Sequence, residues 1–285
     1  MRSQSIICQN SQGQHLMRYW EWGAEENPNV VICVHGLTRN GRDFDLLAEA
    51  LAANYRVICP DIVGRGESDW LDNPEDYAYP QYVADMLSLL AALNLSSVQW
   101  VGTSMGGIIG MFIAAQADTP IKKLILNDIG AFVPQSALQR IAEYLVLPPK
   151  TFPNLAMGEQ HLRRVHAPFG QLSDQHWQRL TKNSLRALSS GEYRFAYDPA
   201  IAYPFQQLAS LQEIEAVDLS PVWAAITCPV ALICGEQSDI VTEDIRQTMQ
   251  ADRPDMPVEM IKEVGHAPML LETAQIEIIK DWLQA

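Results

Sequence analysis

Short apolar runs recur along this chain, and they constrain its fold more than any other sequence feature. Val30–Val34, for example, reads VVICV, which is typical of a strand buried on both faces. Similar strand patterns occur at Tyr55–Cys59, Val98–Val101, Lys123–Leu126, Pro229–Cys234 and Val258–Glu263. A sheet buried on both faces needs helices on each side, so these runs predict an α/β architecture.

Helical patterns alternate with these strands, and two further strands precede them at Ser5–Gln9 and His15–Trp22. The predicted helices are Phe44–Ala53, Pro80–Leu93, Gly107–Ala117, Glu243–Gln250 and Thr273–Leu283. Strands that alternate with helices of this length form βαβ units, and right-handed crossovers wind them into a parallel sheet. The sequence therefore predicts a doubly wound, mostly parallel sheet of eight strands.

The strand–helix alternation stops after Ile129 and resumes near Pro229. Between these points the pattern becomes mainly helical, with predicted helices at Ser136–Leu145, Met157–His166 and Ser173–Ser189. We predict a helical cap inserted at residues 134–218, and a core formed by residues 1–133 and 219–285.

Charge and composition narrow the possible partners. The net charge of −14 disfavours nucleic acids and anionic membranes, and a small-molecule substrate is the expected partner. The five cysteines include no closely spaced pair, which is typical of buried thiols in a reducing compartment. The N-terminal residues lack the pattern of a secretory signal, so we expect a cytoplasmic protein.

The segment GTSMGG at residues 102–107 is the strongest chemical signal. It fits G-x-S-x-G and lies between a predicted buried strand and a predicted helix. In such a sharp turn, side chains at Gly102 and Gly106 are expected to collide with neighbouring backbone, while Ser104 is lifted into a cleft. We predict that Ser104 is a nucleophile.

A serine nucleophile needs a base, and His266 is the best placed of the histidines. It follows the strand pattern Val258–Glu263 in a loop at the carboxyl end of the predicted sheet, just before the last helix. Active sites of open α/β sheets assemble at that edge. We therefore predict that His266 accepts the proton of Ser104.

The base in turn needs a carboxylate that orients it. Asp239 lies one loop beyond the strand Pro229–Cys234 and is the predicted acid. Asp128, which follows the strand Lys123–Leu126 at the same edge, is the alternative. Glu236 follows its strand too closely to reach across.

Hydrolysis also needs hydrogen-bond donors for a developing oxyanion. The backbone N–H of Met105, directly after Ser104, is one candidate, and that of Leu37 is the other. Gly36 is expected to let the loop of Leu37 pass close to the serine. His35 is interpreted as a residue that braces this loop, with a second base as the alternative.

Taken together, these segments resemble the α/β-hydrolase fold family. The matching positions are Val34–Leu37, Asp61–Ser68, Gly102–Gly107, Gly235–Asp239 and Gly265–His266. The resemblance implies a catalytic triad of Ser104, Asp239 and His266, with oxyanion donors at Leu37 and Met105. It also implies that the inserted helices form the cap of a substrate pocket.

Several departures narrow the choice within that family. A serine at position 104 disfavours the branches that use an aspartate nucleophile, and Ala267 differs from the tryptophan usual in carbon–carbon bond hydrolases. Dinucleotide and zinc motifs are absent from the sequence, so no cofactor or metal is required.

The resemblance favours a serine hydrolase that cleaves small or medium carboxylic esters through an acyl-enzyme. The alternatives are the same triad acting on a thioester, lactone, amide or carbon–carbon bond, cofactor-free perhydrolysis, and a non-catalytic ligand-binding protein. Aromatic residues of the insertion either line a substrate pocket or pack the cap: Tyr193, Phe195, Tyr197 and Phe205.

Overall fold

The computed structural model describes residues 1–145, 150–210 and 215–285. Its first part alternates strands and helices, as the sequence predicts. The strands are β1 (Arg2–Asn10), β2 (Gly13–Trp22), β3 (Val30–Val34), β4 (Arg56–Pro60), β5 (Val98–Thr103) and β6 (Ile121–Asn127). The helices among them are α1 (Asp45–Leu51), α2 (Tyr79–Ala92) and α3 (Met105–Ala114).

The next strands and helices span residues 132–218, a range that includes the predicted insertion at residues 134–218. In chain order they are β7 (Phe132–Val133), α4 (Gln135–Leu145), β8 (Thr151–Phe152), α5 (Leu155–Val165), α6 (Asp174–Ser184), β9 (Leu185–Ala187), β10 (Tyr193–Phe195), α7 (Tyr203–Ser210) and β11 (Val217–Asp218). Residues 146–149 and 211–214 of the predicted cap lie outside the described residues. β7 pairs with β11, so hydrogen bonds join the two ends of the insertion.

This segment departs from the prediction at its third helix, and it also contains short strands and a helix, α7, that the sequence analysis does not predict. The predicted helix Ser173–Ser189 ends at Ser184, and the chain continues as β9. β8, β10 and β9 form a small three-stranded sheet. The strand conformation depends on pairing with β10, a non-local contact that the local sequence pattern does not reveal.

The core resumes with α8 (Ser220–Ala225), β12 (Val230–Gly235), α9 (Glu243–Asp252), β13 (Val258–Ile261) and α10 (Thr273–Gln284). The central sheet has eight strands in the order β1-β2-β4-β3-β5-β6-β12-β13. From β4 to β13 all neighbouring strands are parallel, and only the pairs that involve β2 are antiparallel. The predicted fold class is confirmed.

Successive residues of the central strands pack into two different hydrophobic layers. In β3, Ile32 and Val34 belong to the layer that contains Met86 of α2, whereas Val31 packs with Leu47 of α1 on the other face. All five residues of β3 are buried, which explains why its sequence is apolar throughout rather than alternating. Within the described ranges, no helix has both the length and the apolar character that a membrane span requires.

Candidate active site

Ser104 occupies a strained turn between β5 and α3. Its φ of 50° and ψ of −114° place it outside the conformations that a non-glycine residue normally adopts. A Cβ on Gly102 would collide with the backbone of Gly106, and a Cβ on Gly106 would collide with the carbonyl of Val34. These glycines therefore permit the close approach that projects the serine from the sheet edge.

The structure brings Ser104, His266 and Asp128 into one hydrogen-bonded chain. The Ser104 Oγ lies 2.9 Å from Nε2 of His266, and Nδ1 of the same ring lies 2.8 Å from Oδ2 of Asp128. Because a carboxylate only accepts hydrogen bonds, Nδ1 carries the proton and Nε2 is free to accept from the serine. This is the arrangement that a general base requires.

Asp239, the predicted acid, is not part of this chain, and the prediction is corrected in favour of Asp128. The carboxylate of Asp239 instead pairs with the guanidinium of Arg140 in α4, at 2.5 and 2.9 Å. Asp128 directly follows β6, which lies beside the strand that carries Ser104. A positive φ of 57° at Asp128 accompanies this placement, and its side chain is fully buried against the imidazole.

The loop after β12 still contributes to the site, through residues next to the predicted one. The hydroxyl of Ser238 donates to Oδ2 of Asp128 at 2.9 Å, and the N–H of Gly235 donates to Oδ1 at 3.1 Å. Both donors fix the orientation of the carboxylate. Sequence reasoning missed Ser238, and only its position beside Asp239 hinted at it.

The two predicted oxyanion donors belong to the loop after β3 and to the first residue of α3. Leu37 and Met105 both line the cavity that contains Ser104. Neither backbone N–H has a hydrogen-bond acceptor among the residues that the structure describes. A Cβ on Gly36 would lie 3.8 Å from the Cβ of Ser104, an ordinary contact, so the loop is close but space alone does not demand glycine.

The side chain of Arg65 contacts both predicted oxyanion residues. Its Nε donates to the carbonyl of Leu37 at 2.9 Å, and Nη2 lies 3.6 Å from Sδ of Met105. The guanidinium also donates to the carbonyl of Val63 and the hydroxyl of Tyr82. It is fully buried and has no carboxylate partner among the described residues. Its positive charge therefore lies in contact with both predicted oxyanion residues without a described carboxylate to neutralise it.

His35 lies near the nucleophile but makes other contacts with both ring nitrogens. Nδ1 lies 2.7 Å from the carbonyl of Gly36, and Nε2 accepts from the N–H of Ile62 at 3.0 Å. Burial lowers the pKa of His35 to about 3, and the nearby cations Arg65 and Arg39 act in the same direction. These contacts support a bracing role for His35 and leave it no free lone pair to act as a base.

The pKa of His35 predicts a specific loss of stability in acid. In the unfolded chain this histidine binds a proton below about pH 6.5, whereas the folded protein binds it only near pH 3. Stability contributed by neutral His35 is therefore lost as the pH falls from 6.5 towards 3, by about 2 kcal/mol at pH 5. Urea unfolding at pH 7 and pH 5 should show an acid loss smaller by that amount in His35→Gln. Equal losses in the two proteins would contradict the assignment.

An apolar cavity of about 470 Å³ opens onto Ser104. Ser104, His266, Leu37 and Met105 all line it. Its other walls are mainly apolar side chains from α3, the insertion and the core: Ile108, Phe112, Val133, Leu138, Ile141, Tyr144, Phe205, Leu219, Ile240 and Met269. A cavity of this size and character accommodates a small organic ligand.

The four aromatic residues predicted for a pocket separate in the structure. Phe205 lines the catalytic cavity, whereas Phe195 and Tyr197 line a second cavity beside it. Tyr193 lines neither of these two cavities, because it lies in β10 opposite Phe152 and Ala187. For Tyr193 this placement favours the alternative that the aromatic residue packs the cap.

One group of potential metal ligands occurs elsewhere among the described residues. Cys8 and His15 face each other across β1 and β2, and Asp85 of α2 accepts a hydrogen bond from His15 at 2.9 Å. One ligand atom from each residue lies within 4.8 Å of the others. The cluster is buried beneath α2, and none of its members lines the catalytic cavity.

Comparison with known proteins agrees with this geometry. The family model for the alpha/beta hydrolase fold matches residues 29–273. The chain is 41% identical over 279 residues to a 3-hydroxybutyrate-oligomer hydrolase of Cupriavidus necator, covering 96% of this chain and 94% of that protein.

Solved structures give the same result. A putative hydrolase from Rickettsia typhi superimposes with a TM-score of 0.92 at 37% identity, covering 100% of this chain and 99% of the other. An alpha/beta hydrolase from Novosphingobium aromaticivorans superimposes with a TM-score of 0.85 at 33% identity, covering 99% and 98%. The chain therefore belongs to the alpha/beta hydrolase fold family, and it is a hydrolase.

Proposed function

We propose that this hydrolase cleaves carboxylic esters through an acyl-enzyme on Ser104. The observation that carries the proposal is the hydrogen-bonded chain from Ser104 through His266 to Asp128, at the wall of an apolar cavity. The distances of 2.9 and 2.8 Å are those of formed hydrogen bonds, so the base is already aligned with the nucleophile.

The proposed reaction begins with attack of the Ser104 oxygen on the ester carbonyl carbon. Nε2 of His266 takes the serine proton, and the carbonyl oxygen becomes an oxyanion beside the N–H groups of Leu37 and Met105. When the tetrahedral intermediate collapses, the bond to the alcohol oxygen breaks and His266 gives that oxygen its proton. Asp128 stabilises the transient imidazolium and remains ionised throughout.

Water completes the cycle by the same path. His266 takes a proton from a water molecule, whose oxygen attacks the acyl carbon on Ser104. A second tetrahedral intermediate forms and collapses, the proton returns to the serine oxygen, and the carboxylic acid is released. Each proton transfer uses Nε2 of the same histidine, so a single fixed ring orientation serves both halves of the reaction.

We further propose that short oligomers of 3-hydroxybutyrate are the substrates. The support is the 41% identity to the Cupriavidus necator 3-hydroxybutyrate-oligomer hydrolase, which extends over 96% of this chain. Such oligomers are linear esters with a methyl branch on each unit. The apolar walls of the catalytic cavity, including Ile108 and Phe112, suit methyl and methylene groups.

A substrate panel tests the proposal. The purified chain is incubated with the 3-hydroxybutyrate dimer and trimer, with p-nitrophenyl butyrate, and with thioester, lactone and amide analogues. We expect release of 3-hydroxybutyrate from the oligomers, with kcat/KM at or above the ~10⁴ M⁻¹s⁻¹ typical of enzymes acting on their own substrates. Faster turnover of the thioester or amide than of any ester would overturn the assignment.

A further inference from the structure

The catalytic cavity adjoins a second cavity of about 260 Å³, which is lined by residues of the inserted segment and by Thr38 and Arg39 of the core. Both cavities are lined by the same five residues at their junction: Thr38, Arg39, Tyr144, Val165 and His166. These five side chains form the boundary that a substrate bound at Ser104 would cross to reach the second space.

Among the residues that the structure describes, several basic side chains and no acidic one line the second cavity. Its cationic residues are Arg39, Lys150, Arg164 and Arg194. His161 and His166 also line it but do not add to the charge, because burial lowers the pKa of both, that of His166 to about 3. This concentration of positive charge stands out in a chain whose net charge is −14. A cavity lined by one sign of charge focuses the electrostatic field and attracts ligands of the opposite sign.

Three of these cations are not neutralised by ion pairs. Arg39 is held by Asp43 at 2.6 and 2.7 Å, whereas Lys150, Arg164 and Arg194 form no ion pair within the described part of the chain. Arg194 stacks on Trp70, and its Nε is buried there without a hydrogen-bond partner. These side chains retain donors that a bound anion can accept from.

The state of His161 is consistent with net positive charge in this cavity. Partial burial lowers the pKa of His161, and the charges of Lys150 and Arg164 lower it further. Its Nδ1 lies 3.1 Å from Nη2 of Arg164, so the neutral ring accepts a hydrogen bond from that cation. His161 thereby orients one cation and does not offset its charge.

We propose that this second cavity is a carboxylate subsite for the leaving group of the substrate. The proposal rests on the proposed ester hydrolysis. In a linear oligomer of a hydroxy acid, the acyl part ends in a neutral hydroxyl, and the alcohol part carries the terminal carboxylate. A cationic cavity beside Ser104 therefore selects oligomers by their leaving-group end. Its ligand class is short aliphatic carboxylates esterified through a hydroxyl.

The test compares two substrates that differ only in charge. These are the 3-hydroxybutyrate dimer with a free carboxylate and the same dimer with a terminal carboxamide. Charge-assisted hydrogen bonds of ordinary strength should make kcat/KM of the wild-type enzyme about tenfold or more higher for the carboxylate dimer than for the carboxamide dimer. The preference should reside in KM and should fall as salt is added.

Single variants then assign the preference to the cavity. Arg164→Gln and Arg194→Gln should each raise KM for the carboxylate dimer severalfold and leave the carboxamide dimer unchanged. The matched control is Arg163→Gln, because Arg163 is the neighbouring residue but pairs with Glu159 and Asp174 outside the cavity. It should keep the wild-type preference.

Turnover of p-nitrophenyl butyrate distinguishes failure of the carboxylate subsite from failure of the proposed ester hydrolysis, because the leaving group of this ester has no carboxylate. If this ester is hydrolysed but the wild-type enzyme does not distinguish the two dimers, the subsite proposal is wrong and ester hydrolysis stands. If no ester is hydrolysed, the proposed function itself fails. Equal KM changes in Arg163→Gln and Arg164→Gln would also overturn the subsite, because only the second residue lines the cavity.

Discussion

Replacing Asp128 with asparagine is expected to lower kcat/KM for ester hydrolysis by about 10⁴-fold, as the equivalent change does in serine proteases. The carboxylate accepts the Nδ1–H of His266 at 2.8 Å and so holds the proton on that nitrogen. An asparagine can turn its NH₂ group towards the ring and favour the other tautomer. Nε2 then carries the proton and cannot accept one from Ser104.

Asp239→Asn is the matched control for this prediction. It makes the same chemical change in the loop after β12, where the carboxylate pairs with Arg140. Both side chains of this pair are 41% exposed. An ion pair of that exposure contributes at most about 1 kcal/mol to the free energy of any state in which it forms. Its loss should therefore change kcat/KM by less than about fivefold. Steady-state assays of both variants decide between the carboxylates. A severe defect in Asp239→Asn with a mild one in Asp128→Asn would reverse our assignment.

Ser104→Ala is expected to reduce kcat for esters by on the order of 10⁶-fold, because no nucleophile remains to form the acyl-enzyme. A small residual rate should persist from the oxyanion donors and the cavity. The substitution removes one oxygen at the wall of the cavity and no atom from the hydrophobic core, so the variant should fold as the wild type does. Circular dichroism and thermal unfolding check the fold beside the activity assay. Wild-type turnover by a folded Ser104→Ala protein would exclude the proposed mechanism.

The sequence predicts the central sheet well because its signals are local. Val30–Val34 is apolar at every position, and each of these side chains packs into one of two layers. The turn around Ser104 is equally local, since Gly102 and Gly106 lie within two residues of it. Glycine is required at both positions because a Cβ there would collide with neighbouring backbone. These features require no knowledge of distant contacts.

The choice of acid depends on contacts that one sequence does not display. Asp128 and Asp239 both follow strands at the same edge of the sheet, and both lie between Ser104 and His266 along the chain. The structure distinguishes them by a positive φ at Asp128 and by Arg140, which lies 99 positions from Asp239 along the chain. Neither the backbone conformation of Asp128 nor the long-range ion pair of Asp239 with Arg140 has a local sequence signature.

The small sheet of the insertion illustrates the same limit. Leu185–Ala187 continues a helical pattern in the sequence but pairs with Tyr193–Phe195 in the structure. The basic cavity is also assembled from separate elements, with Lys150, Arg164 and Arg194 contributed by different parts of the insertion. Their clustering becomes visible only when the chain is folded. The same holds for the lack of an acidic side chain among the described residues that line the cavity.

Covalent trapping tests the central claim, a nucleophilic Ser104 activated by His266, most directly. The wild-type protein is treated with a fluorophosphonate, and intact-mass and peptide mass spectrometry locate the adduct. We predict one adduct per chain on the peptide that contains Ser104, none in Ser104→Ala, and labelling slowed by about 10²-fold or more in His266→Ala. An adduct on another residue, or undiminished labelling of Ser104→Ala, would contradict the claim.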